Sequence, residues 1–382
     1  MKIVADENIP LVKDAFSGLG DARLVRGRDL NAEVVRDAEL LLVRSVTKVN
    51  ARLLDGSKVR FVATATIGTD HVDLPYLRQR GIAFASAPGS NANSVGEYVV
   101  AALLALAKRG GFRLGGKTLG VVGVGNVGRK VVQKAQALGM TVLQNDPPLQ
   151  RQTGDPRFVP LDALFNADAI TVHVPLARTG PDATYHLVNA DFLKRMKSGS
   201  VFLNSSRGEV VDEPSLSQAL VSGHLSAAVL DVWKGEPSID VSLLATVALG
   251  TPHIAGYSFN GKINGTVMIY RAACEFLGVK PTWDPTPLLP PPPHPTITVD
   301  ARGRDEEDVL REVVRTVYDI ERDDRALRGV LQTAAADRGK FFDALRHKYR
   351  VRREFQNSAV VAQSASQGLR SKLAGIGFRV SE

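Results

Sequence analysis

Short runs of apolar residues recur along the first 280 residues and alternate with helix-like segments. Continuous Val, Leu and Ile predict strands that are buried on both faces. Strands that alternate with helices predict a parallel sheet in an α/β fold. The long apolar segment NSVGEYVVAALLALAKRG predicts a buried helix. Four runs precede it, namely KIVAD, ELLLVRS, VRFVATAT and GIAFASAP. Six runs follow it, namely KTLGVVGVG, MTVLQND, DAITVHVP, GSVFLNSS, AAVLDVW and VALGTPHI.

The pattern changes after residue 280. PTWDPTPLLPPPPHP, residues 281–295, predicts an extended polyproline connector. Beyond it we predict a strand in TITVD, helices in DEEDVLREVVRTVYDI and DRGKFFDALRHKY, a β-like run in AVVAQ, and a closing segment LAGIGFRV. These elements suffice for a small third α/β unit of ordinary domain size.

Composition narrows the class of protein. The 382 residues predict two or three domains, and 44% hydrophobic with 23% charged residues is typical of a soluble globular chain. A formal net charge of +8 from scattered Lys and Arg favours small anionic ligands and gives no sign of nucleic-acid binding.

Several absences point to the cytoplasm. A single cysteine, Cys274, excludes an intrachain disulfide framework and fits a reducing compartment. MKIVADENIP does not resemble a secretory signal, and the longest apolar run, YVVAALLALAK, is about half of a membrane span, so we expect no membrane contact. The seven histidines lie far apart, so we expect no metal site.

A glycine fingerprint opens the second series of strands. GVVGVGNVGRKVV places Gly123, Gly125 and Gly128 between a strand and a helix. The first glycine permits a tight turn, the second lets the backbone approach a pyrophosphate, and the third allows close helix packing. The N–H groups of Asn126 and Val127 then face the phosphates. A glycine-rich turn without a nucleotide is the alternative.

An acidic residue after the next strand strengthens this interpretation. Asp146 ends TVLQND about 20 residues beyond the middle glycine, where a carboxylate hydrogen-bonds the adenosine ribose. A carboxylate there repels a 2′-phosphate, and Pro147 and Pro148 leave no neutralising cation. NAD is therefore favoured over NADP.

Three late strands are followed by ionisable residues in the order Arg, Glu, His. Arg207 follows VFLN, Glu236 lies beyond AAVLDVW, and His253 follows the last strand. Carboxyl ends of parallel strands meet at one sheet edge, so the three side chains can serve one cleft. A guanidinium holds a carboxylate, and an imidazole exchanges the hydroxyl proton during hydride transfer. A neighbouring carboxylate favours imidazolium and fixes its tautomer. Each residue alone has a structural explanation.

Residues 1–280 resemble the D-isomer-specific 2-hydroxyacid dehydrogenases, through GVVGVGNVGR, NSSRGEVVD, LDVWKGEP and TPHIAGYS in order. The resemblance implies that Arg207 and Glu236 are active-site residues and His253 the proton donor and acceptor. It implies substrate contacts from Ser45, Thr66 and Tyr257. It implies cofactor contacts from Asn126, Val127, Asp146, Ser205, Ser206, Arg207, Asp231 and Gly256. Val174 replaces the usual threonine, so only a backbone contact is expected there.

The ends of two strands in the first series carry residues that suit the binding of a substrate phosphate. Arg44, Ser45 and Lys48 follow one strand, and Thr64 and Thr66 follow the next. Cation, hydroxyl and exposed amides make a phosphate cradle, although hydroxyl-rich strand ends are also common in other proteins. His71 is a rival catalytic histidine that fits a structural turn better. Arg346, on a polar helix face in the tail, is a possible phosphate ligand for a partner subunit.

We therefore predict a Rossmann-type doubly wound parallel sheet, a second flavodoxin-like substrate or lid domain, and a small C-terminal α/β dimerisation domain. The expected ranges are 1–92 with 256–280 for the lid, 93–255 for NAD, 281–295 for the connector and 296–382 for dimerisation. The expected activity is NAD-dependent oxidation of a phosphorylated 2-hydroxy acid by a homodimer. Alternatives are a relative acting on 3-phosphoglycerate, with the tail as a regulatory domain, and a non-catalytic NAD-sensing corepressor.

Overall fold

The first 91 residues contribute a five-stranded parallel sheet. The computed structural model describes residues 1–381. The strand order is β2-β1-β3-β4-β5, which is the flavodoxin-like order. The strands are β1 (Lys2–Asp6), β2 (Asp21–Val25), β3 (Leu40–Val43), β4 (Phe61–Thr64) and β5 (Ala83–Ala85).

Short helices connect these strands, and polar caps fix where three of them begin. The side chains of Asn31, Asn50 and Asp73 accept backbone N–H groups of the first turns of α2, α3 and α4. The helices are α1 (Val12–Phe16), α2 (Ala32–Val35), α3 (Ala51–Leu54) and α4 (Leu74–Gln79). Strand β2 was not predicted, because its mostly exposed sequence DARLV lacks the apolar run of a central strand.

The predicted Rossmann-type sheet is confirmed. Its order is β11-β10-β9-β8-β6-β7, all neighbours are parallel, and a single bridge from Gln144 to Phe158 extends the β7 edge. The order reverses between β6 and β8, and the carboxyl ends at such a point bind ligands. The strands are β6 (Thr118–Val122), β7 (Thr141–Asn145), β8 (Ala169–Val172), β9 (Val201–Asn204), β10 (Ala227–Leu230) and β11 (Leu249–Gly250).

A long helix, α5 (Ala92–Gly110), leads into this sheet, and nearly all of its side chains from Ala92 to Ala107 are buried. Its all-round apolar sequence is typical of a helix inside a protein core. The helices between the strands are α6 (Asn126–Ala137), α7 (Pro147–Thr153), α8 (Ala190–Arg195), α9 (Glu213–Val221) and α10 (Val241–Thr246).

The chain then returns to the first sheet through α11 (Phe259–Leu277). Ser258 caps this helix, and Gly278 ends it in the left-handed conformation. Its buried residues Ile269, Ala273 and Cys274 share a core with β1, β3 and β4. The proline-rich connector is irregular apart from one 3₁₀ turn at Thr286–Leu288.

The C-terminal segment forms a three-stranded parallel sheet in the order β12-β13-β14. Its elements are β12 (Thr296–Asp300), α12 (Glu306–Val317), α13 (Ile320–Arg328), α14 (Arg338–His347), β13 (Ala359–Gln363), α15 (Gln367–Ile376) and β14 (Arg379–Ser381). Helix α13 was not predicted because IERDDRALR is highly charged. LAGIGFRV divides between the end of α15 and β14, at Gly377.

The chain divides into two compact units, Met1–Asn91 with Ser258–Pro291, and Ala92–Tyr257 with Pro292–Glu382. In the second unit the C-terminal elements pack directly on the Rossmann elements. Val309 of α12 and Leu373 of α15 belong to the same apolar core as Leu103 of α5 and Val131 of α6. Within residues 1–381, no helix combines the length and apolar character needed to cross a bilayer.

Candidate active site

His253 and Glu236 form a hydrogen-bonded pair in the second unit. His253 lies in the loop after β11, and its Nδ1 is 2.7 Å from Oε2 of Glu236, which lies in the loop after β10. The other carboxylate oxygen, Oε1, accepts the backbone N–H of Trp233 at 2.9 Å. Because Nδ1 is engaged by the carboxylate, Nε2 is the nitrogen that remains for proton exchange with a substrate.

The backbone around His253 is tightly held. Its φ of 56° lies in the left-handed region, which costs a non-glycine residue about 1–3 kcal/mol and persists only where the surroundings enforce it. The enforcing group is Asp231 at the end of β10. Its backbone carbonyl accepts the N–H of His253 at 2.7 Å, and its carboxylate accepts the N–H groups of Ile254 and Ala255 at 2.8 and 2.9 Å.

Asp231 is also part of a buried hydrogen-bond chain. Tyr98 donates to the hydroxyl of Thr251 at 2.8 Å, and Thr251 donates to Asp231 Oδ1 at 2.6 Å. Burial raises the pKa of Asp231 above its ordinary value, against the effects of His253 and these donors. The structure thus uses both oxygens of this predicted cofactor residue to hold the loop that carries His253.

The charge of Glu236 is well supported. Burial alone raises the pKa of this carboxyl, but His253, the Trp233 amide and the charge of Arg346 together outweigh burial. The pKa of Glu236 therefore lies below its ordinary value, and the carboxylate is ionised at neutral pH. An ionised acceptor on Nδ1 stabilises the imidazolium that forms when Nε2 takes a proton.

Arg207 lies in the loop after β9, immediately before a 3₁₀ turn at Gly208–Val210. Asn204 shapes this loop by donating to the Arg207 carbonyl at 2.9 Å and accepting from Ser206. Gly208 brings the loop against the one that carries Glu236, since a Cβ there would lie 2.0 Å from the carbonyl carbon of Trp233. Arg207 and Glu236 thus lie on two loops in backbone contact.

The glycine loop has the features that a dinucleotide requires. Gly123 has φ 84°, and a Cβ at Gly128 would lie 2.0 Å from the Gly123 carbonyl oxygen, so both positions exclude larger residues. Gly125, at the N-cap of α6, faces open space instead. Open space beside the N–H groups of Asn126 and Val127 suits a pyrophosphate, and the loop therefore fits NAD.

Asp146 occupies the predicted position beside this loop. Its Oδ2 accepts the N–H of Val124 at 2.8 Å, and its Oδ1 caps α7 through Leu149 at 3.0 Å. Val174 lies against the turn at Gly123, where an added Cβ would be 2.8 Å from its Cγ1. Gly256 follows the His253 loop and is partly exposed.

Ser205, partly exposed, and Ser206, buried, lie just past β9. Sequence reasoning missed the neighbour of Ser205, His173, whose Nδ1 lies 3.4 Å from the Ser205 hydroxyl and whose Nε2 lies 2.9 Å from that of Thr171. Burial lowers the pKa of His173 to about 3, so this imidazole is neutral. Its place in VHVP after β8 was a signal that could have found it.

Tyr257 and Arg346 lie together in the second unit. The Arg346 guanidinium is 5.6 Å from the centre of the Tyr257 ring, which also meets the Tyr349 ring edge-on at 5.9 Å. Burial opposes the charge of Arg346, but Tyr257 and Glu236 outweigh burial and raise its pKa. Arg346 was expected to serve a partner subunit. It lies beside Tyr257 and the charge of Glu236 in its own chain.

The predicted phosphate residues lie at strand ends of the first unit. Arg44 and Ser45 directly follow β3, where Ser45 is exposed. Thr64, at the end of β4, joins its hydroxyl to that of Thr66 at 2.7 Å and to Nε2 of His71 at 3.0 Å. His71 thus supports the turn around Thr66. Among residues 1–381, no three His, Cys, Asp or Glu side chains are grouped as metal ligands.

Comparisons with known proteins show the family of this chain. Residues 97–255 match the model of the D-isomer specific 2-hydroxyacid dehydrogenase, NAD binding domain, and residues 288–377 match a Domain of unknown function (DUF3410). The NAD complex of NAD-dependent formate dehydrogenase from Staphylococcus aureus is similar, with 26% identity and a TM-score of 0.60 over 74% of this chain and 98% of that chain. Fold and site therefore define an NAD-dependent dehydrogenase of the 2-hydroxyacid type.

Full-length relatives narrow this class. The chain is 48% identical to erythronate-4-phosphate dehydrogenase of Salinibacter ruber, with 98% of this chain and 99% of the relative covered. It is 44% identical to that of Proteus mirabilis, with both chains fully covered. The chain belongs to the erythronate-4-phosphate dehydrogenase family.

Proposed function

We propose that the protein oxidises 4-phospho-D-erythronate to 2-oxo-3-hydroxy-4-phosphobutanoate with NAD, as a step in pyridoxal 5′-phosphate biosynthesis. The observation that carries the proposal is the contact of 2.7 Å between His253 Nδ1 and Glu236 Oε2, in the same unit as a complete dinucleotide loop. A sensor protein binds NAD without needing a base. A paired imidazole and carboxylate is the arrangement that proton transfer requires.

In the proposed reaction, Nε2 of His253 accepts the proton of the substrate 2-hydroxyl as the C2–H bond breaks. Bound NAD supplies the hydride acceptor. Glu236 stabilises the imidazolium that results, and Arg207 holds the substrate carboxylate while polarising the reacting oxygen. The reverse reaction uses the same groups, with His253 as the acid.

We propose that the cofactor is held by the residues that the sequence predicted. Gly123, Gly125 and Gly128 shape the loop, Asn126 and Val127 supply N–H groups, and Asp146 receives the ribose hydroxyls. Val174 contributes through its backbone, and Ser205, Ser206, Asp231 and Gly256 border the nicotinamide end. The open space at Gly125 and the position of Asp146 beside Val124 support this assignment.

We assign Arg44, Ser45 and Thr66 of the first unit to the substrate phosphate, because cation, hydroxyl and strand-end amides suit an anion. In the second unit we assign Tyr257 and Arg346 to the substrate as well. Arg346 lies beside Tyr257 and acts electrostatically on Glu236, which supports a role within its own chain.

The test is anaerobic incubation of the purified protein with NAD and 4-phosphoerythronate, followed by NADH absorbance. Unphosphorylated erythronate and 3-phosphoglycerate are the comparison substrates. Turnover that is fastest on 4-phosphoerythronate supports the proposal. Faster turnover on 3-phosphoglycerate favours the alternative of a dehydrogenase that acts on 3-phosphoglycerate. NAD binding without any turnover favours a non-catalytic NAD-sensing corepressor.

A His253→Gln variant tests the base directly. We expect kcat to fall by about 10²–10⁴-fold, the usual contribution of general acid–base catalysis, with NAD affinity retained. Undiminished activity in this variant would remove His253 from the mechanism.

We further propose a cytoplasmic homodimer that associates through the C-terminal sheet. In β12, Ile297 and Val299 are buried while Thr296, Thr298 and Asp300 are exposed. Parallel sheets normally have both faces covered, so the exposed face suits a second copy of the chain. Sedimentation equilibrium at micromolar concentration tests this, and a monomer mass contradicts it.

A further inference from the structure

Arg352 is a buried cation whose bonds end beside the catalytic loop. It is 2% exposed, although arginine is almost never fully buried unless it is paired. Its Nη2 donates to the backbone carbonyl of Ala255 at 2.8 Å and to that of Ser94 at 3.2 Å. The guanidinium lies 4.2 Å from the centre of the Tyr318 ring. Ala255 is two residues from His253.

Both backbone polar groups of Ala255 are therefore held, and with them the peptide groups on either side of this residue. Its N–H is held by Asp231 at 2.9 Å and its C=O by Arg352 at 2.8 Å. Asp231 also holds the N–H groups of His253 and Ile254. Asp231 directly follows the Rossmann strand β10, whereas Arg352 belongs to the C-terminal segment between α14 and β13. Both parts of the unit thus hold the loop.

Stability alone is a poor explanation for this arginine. Its Nε and Nη1 are buried without a hydrogen-bond partner in the described structure. A buried guanidinium with two unsatisfied nitrogens is costly, and an apolar side chain of similar size often stabilises a protein at such a position. The bonds that an apolar replacement cannot provide are those to the carbonyls of Ala255 and Ser94, and the shorter of the two ends on the loop that carries His253.

We propose that Arg352 is a positioning residue for proton transfer. By holding the Ala255 carbonyl, it keeps His253 in its left-handed conformation, with Nδ1 on Glu236 and Nε2 directed to the substrate hydroxyl. The proposal rests on the proposed function, in which His253 is the base. It gives the C-terminal domain a direct part in catalysis, because a peptide shift of about 1 Å is enough to slow a reaction about 100-fold.

The test compares Arg352→Met with a matched control, Arg328→Met. Arg328 also donates to two backbone carbonyls of this unit, Leu244 at 3.0 Å and Val247 at 2.8 Å. It pairs with Asp324, which accepts the N–H of Gly250 in β11, and it makes no hydrogen bond to the loop that carries His253 in the described structure. We expect R352M to lower kcat about 10- to 100-fold, with the KM for NAD within about twofold of wild type. The R328M variant should keep its kcat within about threefold, whatever its melting temperature.

Two further measurements separate positioning from a merely structural role. With substrate deuterated at C2, the isotope effect on kcat should rise in R352M, because a displaced base slows the chemical step. In a double-mutant cycle, R352M should have almost no further effect in an H253Q background, since it acts through His253. Equal losses with and without His253, or an unchanged isotope effect, would overturn the proposal.

The design also keeps the two proposals apart. If wild type does not oxidise 4-phosphoerythronate, the proposed function fails, and the cycle is run with whichever 2-hydroxy acid is oxidised. If R352M is insoluble, R352Q carries the same cycle, because its shorter amide side chain does not extend to the place of the Nη2 atom that donates to both carbonyls. A glutamine variant with wild-type kcat and wild-type isotope effect would then contradict the proposal.

Discussion

At the scale of single residues, the proposed function depends on which nitrogen of His253 carries a proton. A carboxylate on Nδ1 requires an N–H there, which leaves a lone pair on Nε2 for the substrate proton. Sequence reasoning predicted this neighbour because Glu236 and His253 follow successive strands of one sheet. It did not predict that the backbone of His253 is left-handed, because that conformation is imposed by Asp231.

Glu236→Gln reverses the tautomer while keeping the shape of the side chain. The amide oxygen can still accept from Trp233, so the amide NH₂ faces Nδ1 and places the imidazole proton on Nε2. We expect kcat for substrate oxidation to fall about 10²–10⁴-fold with NAD affinity unchanged.

The matched control for this prediction is Glu213→Gln. Glu213, the first residue of α9, accepts at 2.6 Å the N–H of Lys234, which lies in the same loop as Glu236. Burial raises the pKa of Glu213 to about 7. It makes no hydrogen bond to the imidazole in the described structure, so kcat should stay within about threefold of wild type. Equal losses in the two variants would show that loop geometry, rather than the tautomer, determines the rate.

At the scale of elements, loops after neighbouring strands are held together by backbone contact. Gly208 permits such a contact, since a hypothetical Cβ there would lie 2.0 Å from the Trp233 carbonyl carbon. In Gly208→Ala, neither backbone can yield without separating the loops of Arg207 and Glu236. We expect a loss of about 1–3 kcal/mol in the free energy of unfolding, and a lower kcat/KM.

Urea unfolding and steady-state kinetics on the same preparation check this expectation. Gly18→Ala is the control, since Gly18 has open space around it and an ordinary φ. A Gly208→Ala variant with wild-type kcat/KM would mean that the Arg207 loop tolerates displacement.

Prediction from sequence succeeded where an element has its own pattern. The buried runs of β3 and β9, the glycine loop at Gly123 and the long apolar helix α5 were all found, and the α/β fold is confirmed. Strand β2 and helix α13 were missed, because one is an exposed edge strand and the other is highly charged. The contacts of Arg352 with Ser94 and Ala255 were beyond reach, since these residues are distant in sequence and each bond ends on a backbone carbonyl.

At the scale of the whole second unit, the C-terminal segment is joined to the Rossmann domain by a buried ionisable cluster. The Phe355 N–H and the Asn93 amide donate to Glu97 Oε1 at 2.8 and 3.0 Å, while Glu97 Oε2 is buried without a partner in the described structure. Burial, with the neighbouring Glu354, raises the pKa of Glu97 to about 8, although Lys134 and Arg352 oppose the shift.

The raised pKa makes stability depend on pH in a definite direction. Folded protein keeps the Glu97 proton up to about pH 8, whereas an unfolded chain releases it near its ordinary value of 4.5. Between these values the native state binds more protons, so the free energy of unfolding falls as pH rises, by up to about 1.4 kcal/mol per pH unit. Glu97→Gln has no proton to release, and its unfolding free energy should fall less steeply across this range.

Urea unfolding at intervals between pH 5 and 8 measures how steeply the free energy of unfolding falls with pH in wild type and in Glu97→Gln. Ser94→Ala is the control, because its hydroxyl donates to Glu354 at 2.6 Å and its loss disturbs the cluster without removing a titrating group. This variant should be less stable throughout and keep the wild-type slope. Parallel curves for wild type and Glu97→Gln would place the pH dependence elsewhere. A flatter curve for Glu97→Gln alone would show that the proton held by Glu97 contributes to the stability of the fold and that its loss accounts for the fall in the free energy of unfolding as pH rises.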